Sequence, residues 1–151
     1  MKALALLLCA LALVPGVALA QTQSPSEVVD AFHFALKAGN RQKALELLEA
    51  DCTVFEQGRV ERSRTEYART HLADDMQFAA TTSRSVTRRA VRVLGNAAWV
   101  MSINRNRGKF QNRPIDFTTD ETVVLARIGA RWRIVHIHWS FDEKGTAQGA
   151  E

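Results

Sequence analysis

Residues 131–140 read RWRIVHIHWS, and how this stretch lies decides the fold. As a β-strand it alternates, with Trp132, Ile134, His136, His138 and Ser140 on one face and Val135, Ile137 and Trp139 on the other. Both faces therefore carry large apolar groups. A strand covered on both sides of an open sheet needs a second layer on each side. The simplest cover for the second side is another copy of the chain.

Upstream the period of two continues. SVTRRAVRVLG (85–95), AAWVMSINRNR (97–107) and DFTTDETVVLARIG (116–129) alternate in the same way, with turn residues at Gly95-Asn96 and Gly108-Lys109. Together with RWRIVHIHWS these segments predict four successive strands in an antiparallel meander.

Before Ser85 the period is helical. Ser24-Pro25-Ser26-Glu27 combines an N-cap serine, proline at the first helical position and a capping-box glutamate. Val28, Val29, Phe32, Ala35 and Leu36 form an apolar stripe that Gly39 ends. Asn40 caps a second helix over 41–48, and CTVFEQGRVE (52–61) reads as a short strand turning at Gly58. Ser63-Arg64-Thr65-Glu66 opens a third helix through about Phe78, with Tyr67, His71 and the pair Asp74/Asp75 on one side. Arg64 and Glu61 stand ready to pair at its entrance. Three helices ahead of a long antiparallel sheet predict an α+β fold, with the helices packed on one face of the sheet.

The ends and the composition bound the rest. Lys2, the apolar run Ala3–Val14, the break Pro15-Gly16 and Ala18-Leu19-Ala20 have the order of a secretory signal peptide, residues 1–20, cut after Ala20. The apolar run is shorter than the about 20 residues a bilayer demands. No membrane span is expected, and the mature chain is placed in a bacterial periplasm or outside the cell. Residues 21–142 then make one domain and 143–151 a polar tail. Of two cysteines only Cys52 remains, so no intramolecular disulfide forms and Cys52 reads as a buried small hydrophobe. The formal charge of +4 is modest. Its basic excess (Arg84, Arg88, Arg89, Arg92, Arg105, Arg107, Lys109, Arg113) reads as a solvated sheet face. No aromatic residues interleave the first four arginines, so no nucleic-acid partner is expected.

The order helix, helix, strand, helix, meander, together with the terminal W-R-I-V-H-x-H-W-S and the run FEQGRVERSRTEY (55–67), resembles the SnoaL-like members of the nuclear transport factor two-like superfamily. The resemblance covers nearly the whole mature chain. It implies a cone of three N-terminal helices packed on a curved antiparallel β-sheet, with a pocket between the two and a homodimer through the outer sheet face. Proteins of this fold include isomerases, cyclases, dehydratases and non-catalytic binding or assembly domains, so the fold does not settle function.

On that cone the histidine face of RWRIVHIHWS points inward. Trp132, Phe32, Trp99, His71 and Glu56 are then the expected ligand-binding wall, and His136, His138 and Tyr67 the expected catalytic groups. Glu121 faces either way. The leading reading is a pocket for a small, partly apolar molecule, in which the histidines belong to a satisfied polar network. Alternatively, His136 or His138 transfers a proton while Tyr67 hydrogen-bonds a developing enolate, as in isomerase, cyclase or dehydratase chemistry. A zinc site built on His136-x-His138, with His71 or Glu56 as third ligand, rests on a weak spacing signal. No metal and no cofactor are expected.

Overall fold

The computed structural model describes residues 23–141. The expected signal peptide, residues 1–20, and the tail 143–151 lie outside the described residues. Helix α1 (Pro25–Lys37) starts where the capping box places it: Ser24 Oγ accepts from the Glu27 backbone N–H, and the Glu27 carboxylate accepts from the Ser24 N–H. Its stripe Val28, Val29, Phe32, Ala35 and Leu36 is buried. Asn40 caps α2 (Arg41–Leu47) through the Lys43 N–H at 2.9 Å.

Ser63 caps the next helix as expected, but that helix is not continuous. It divides at His71 (φ −111°, ψ −33°) into α3 (Arg64–Thr70) and α4 (Leu72–Thr81). The break re-aims the chain so that one helix packs on the first strands and the other reaches the far end of the sheet. Arg64 does not pair with Glu61. Its guanidinium donates to the Leu48 carbonyl at 3.0 Å, while Glu61 turns inward toward His71.

Six strands form one sheet in the order β2-β1-β6-β5-β4-β3. They are β1 (Leu48–Glu56), β2 (Arg59–Glu61), β3 (Thr82–Leu94), β4 (Ala97–Phe110), β5 (Arg113–Ile128) and β6 (Arg131–Phe141). The meander β3 to β6 is antiparallel, as its alternation predicts. The sheet as a whole is mixed, because β1 runs parallel to β6. Parallel neighbours need a long crossover, and here β2, α3, α4 and strands β3 to β5 supply it.

The turn between β4 and β5 falls at Gln111-Asn112, both with positive φ (47° and 66°), rather than at Gly108-Lys109. Two successive left-handed residues suit the twist of a two-residue hairpin. Gly108 serves another end. A Cβ there would sit 2.4 Å from the Thr81 carbonyl oxygen, so only glycine lets β4 pass under the end of α4.

In β6 the alternation breaks. His136 pairs with Val124 and Ile134 with Leu125, which leaves Val135 as an extra residue without a partner on β5. One inserted residue moves every later side chain to the other face. Trp132 and Ile134 face the helices, and beyond the bulge Ile137 is buried on that same side with Trp139 packed against the core. The expected inward face and the expected outer face of residues 136–140 are therefore exchanged. The main core row runs Val91, Val100, Val123, Ile137 and Val54 across five strands, under Phe32, Leu36, Tyr67 and Leu72.

Candidate functional site

Next to the apolar row lies a polar one. Arg89, Ser102, Glu121, Trp139 and Glu56 are neighbours across the sheet, followed by Asn104, Thr119 and Phe141, then by Asn106 and Phe117. The helices leave a cavity of about 720 Å³ over these rows. Side chains from α1, α4, the break at His71 and all six strands, β2 through Arg59, converge on it, among them His33, Glu56, Asp75, Glu121 and Trp139. Toward the β4–β5 turn its wall is aromatic: Phe78 meets Phe110 edge-on at 5.5 Å, and Phe117 lies 5.2 Å from Phe141 and 6.1 Å from Phe78.

At one side of the cavity four ionisable groups crowd together. The break at His71 aims its imidazole between three carboxylates. Nε2 is 3.5 Å from Glu56 Oε2 and 3.8 Å from Asp75 Oδ1, and Nδ1 is 3.3 Å from Glu61 Oε1. Behind them Tyr67, fully buried, donates its hydroxyl to Asp75 Oδ2 at 2.5 Å. Burial, then the neighbouring Asp75, pushes the Glu56 carboxyl up to about 7. Burial likewise raises Asp75 against the opposing effect of the Tyr67 hydrogen bond. Burial and the Asp75 charge raise Tyr67, so its hydroxyl keeps its proton and acts as a donor. Glu56, His71 and Asp75 each offer one ligand atom, all within 4.8 Å of one another, the one such trio among the described residues.

A second buried carboxylate is treated differently. Burial alone would raise Glu121, but His33 Nε2 at 2.5 Å, Arg84 Nη2 at 3.1 Å and the Trp139 indole N–H at 2.7 Å reverse this and hold it at about 2. Beside this group the Nε of Arg84 and the Oδ1 of Asn104 are buried with no hydrogen-bond partner.

The sequence-predicted residues divide between three places. Glu56 and His71 line the cavity as expected, and Tyr67 stands directly behind Asp75. Phe32 and Trp132 are core: Phe32 stacks on Trp139 at 6.4 Å, and Trp132 lies under the Arg127 guanidinium at 4.6 Å. His136, His138 and Trp99 are on the far side of the sheet and do not line the cavity. His136 accepts from or donates to Thr53 Oγ1 at 2.8 Å, and Phe55 lies edge-on to both imidazoles at 5.1 and 6.5 Å. The bulge at Val135 is the physical reason, since it turns them outward and Trp139 inward. Asp75 and Arg84 are not among the expected site residues, and Glu121, left facing either way, and His33 of the first helix turn out to line the cavity. The spacing Tyr67, His71, Asp75, one helical turn apart each time, was the signal for Asp75. Arg84 was hidden among seven other basic residues that mostly face solvent.

A model of the SnoaL-like domain matches residues 26–142. Of the solved structures, a protein from Shewanella frigidimarina, named provisionally as a ketosteroid isomerase, is 36% identical, with a TM-score of 0.72 over 76% of this chain and 92% of that one. The S. rosetta CaMKII hub (20% identical, TM-score 0.68, 80% and 98% covered) shares the fold. So does a provisionally named dehydratase from Streptomyces avermitilis (16%, TM-score 0.67, 78% and 93%). No curated protein matches the chain. Among the described residues no helix is long and apolar enough to cross a membrane. With matched residues spanning both the helices that floor the cavity and the strands that wall it, the chain belongs to the SnoaL-like domain family.

Proposed function

We propose that this protein is an exported receptor for a small, partly apolar molecule, which lies in the cone with its polar group toward Glu56 and Asp75. One observation carries the reading: a single cavity has an aromatic wall on one side and converging buried polar groups on the other. At about 720 Å³ it falls within the roughly 300–1,000 Å³ typical of ligand sites. Export rests on the leader-like residues 1–20. A homodimer through the outer sheet face belongs to the same reading, now by way of Trp99, Met101, Ile103 and Val124, which alternate with the inward residues of β4 and β5. A thermal-shift panel of small aromatic and alicyclic ketones, alcohols and acids tests it. A hundredfold excess over Kd should raise the melting temperature by on the order of 10 °C, and Phe117→Arg should abolish the shift while keeping the fold. No shift with any compound, or shifts that survive in Phe117→Arg, contradict it.

A second reading, acid–base turnover, is supported by the hydrogen bond from Tyr67, which fixes one oxygen of Asp75 and leaves the other at the cavity wall. A bound ketone would then exchange its α-protons with D₂O faster than in buffer. Asp75→Asn should stop the exchange even at ketone concentrations that saturate the variant. Binding without exchange in the wild type leaves the receptor reading alone standing.

A further inference from the structure

We propose that Glu56 Oε2, His71 Nε2 and Asp75 Oδ1 form a three-ligand site for one divalent transition-metal ion, zinc being the ion of choice, in the wall of the cavity. The separations decide between a hydrogen-bonded cluster and a ligand set. Hydrogen bonds between such groups span about 2.7–3.2 Å, and the two imidazole-to-carboxylate gaps, 3.5 and 3.8 Å, are too long for that. Four ligands held at about 2.1 Å in a tetrahedron stand about 3.4 Å apart. The 3.5 Å gap matches that edge and the 3.8 Å gap lies above it. The third pair, between the two carboxylates, lies within 4.8 Å.

An independent observation points the same way. His71 is only 9% exposed, makes no side-chain hydrogen bond among the described residues, and aims Nε2 between the two carboxylates. Glu56 Oε2, the oxygen facing it, is also buried without a partner. A buried carboxylate oxygen with no hydrogen-bond partner, 3.5 Å from the imidazole it faces, fits an ion between the two better than it fits the imidazole itself.

The groups behind the trio have the form of an outer shell. A metal-bound histidine commonly turns its other ring nitrogen to a carboxylate, which fixes the tautomer; Glu61 Oε1 faces His71 Nδ1 at 3.3 Å, just beyond hydrogen-bond length, and Nδ1 has no hydrogen-bond partner among the described residues. A ligating carboxylate is commonly held by a hydrogen bond to its other oxygen; Tyr67 makes that bond to Asp75 Oδ2. Two carboxylates and a neutral imidazole balance a dipositive charge. Three protein ligands leave the fourth position of a tetrahedron open to the cavity, where water or a ligand's donor atom completes it. The pair His136-x-His138 lies across the sheet and takes no part.

Zinc titration of chelator-stripped protein by calorimetry, with no organic molecule present, tests this apart from the receptor reading. The wild type should bind one equivalent with micromolar or tighter affinity. The isosteric variants Glu56→Gln and Asp75→Asn should weaken binding at least about a hundredfold, and Tyr67→Phe and Glu61→Gln about tenfold or more. The double variant His136→Ala/His138→Ala should bind as the wild type does. Circular dichroism of each apo variant checks that it is folded. Absence of saturable binding, binding unaffected by Glu56→Gln and Asp75→Asn, or loss of binding on changing His136 and His138 overturns the proposal.

Discussion

Glu121 carries its charge where water does not reach it. The carboxylate is held by His33, Arg84 and Trp139, and its proton affinity falls from the usual 4.5 to about 2 despite burial. A depressed folded-state value means that ionised Glu121 stabilises the fold above about pH 4.5, and that this contribution is lost as pH falls through 2. The fall corresponds to roughly 3 kcal/mol, at about 1.4 kcal/mol for each tenfold change in affinity. Urea denaturation of wild type and Glu121→Gln checks it. The gap between them should be full at pH 6 and should narrow steadily between pH 4.5 and 2. A gap independent of pH in that window would mean that the three partners do not hold the charge. Glu121 also shows where a residue escapes sequence reading. Its alternation on β5 is unbroken, but whether an acid on a strand faces water or a buried arginine depends on Arg84, 37 positions away.

At the scale of elements, the helix starts were legible because each is written locally. Ser24, Asn40 and Ser63 all cap the helices that follow them. The break at His71 was not legible, since nothing in ARTHLADD departs from helical composition. Strand β6 was misread for a single reason. Alternation was carried across Val135 without a pause, and one unpaired residue inverts everything after it. The pattern did hold a trace of this: Trp132, Ile134, Ile137, Trp139 and Phe141 are all large and apolar, and they fall on one face only if one residue between 134 and 137 is skipped. Deleting Val135 would restore regular pairing and keep Ile137 opposite Val123 and Trp139 opposite Glu121, both on the inner face. Such a chain should still melt cooperatively, because the main core row keeps its Ile137 and the Glu121 group its indole. A deletion variant that lost its cooperative melt would show that Val135 is not an extra residue in the pairing.

At the scale of the molecule, the cone is a sheet whose two faces have different tasks. The inner face is filled by α1 and α3 along the apolar rows and left open over the polar rows. The outer face keeps Trp99, Met101, His136 and His138 away from the cavity. The class of fold could be read from the order of elements, whereas the side to which the chemistry belongs could not, because it hangs on the bulge. The three tryptophans report on this division directly: Trp139 lines the cavity, Trp132 is core and Trp99 lies outside. Each indole N–H gives one cross-peak in a ¹⁵N–¹H correlation spectrum, assignable by Trp→Phe variants. Titration with 2-naphthol, a small apolar probe with one hydroxyl, should shift the Trp139 peak saturably, through its hydrogen bond to Glu121, and leave the Trp99 peak in place. A saturable shift of Trp99 with Trp139 unmoved would put binding on the outer face and contradict the account.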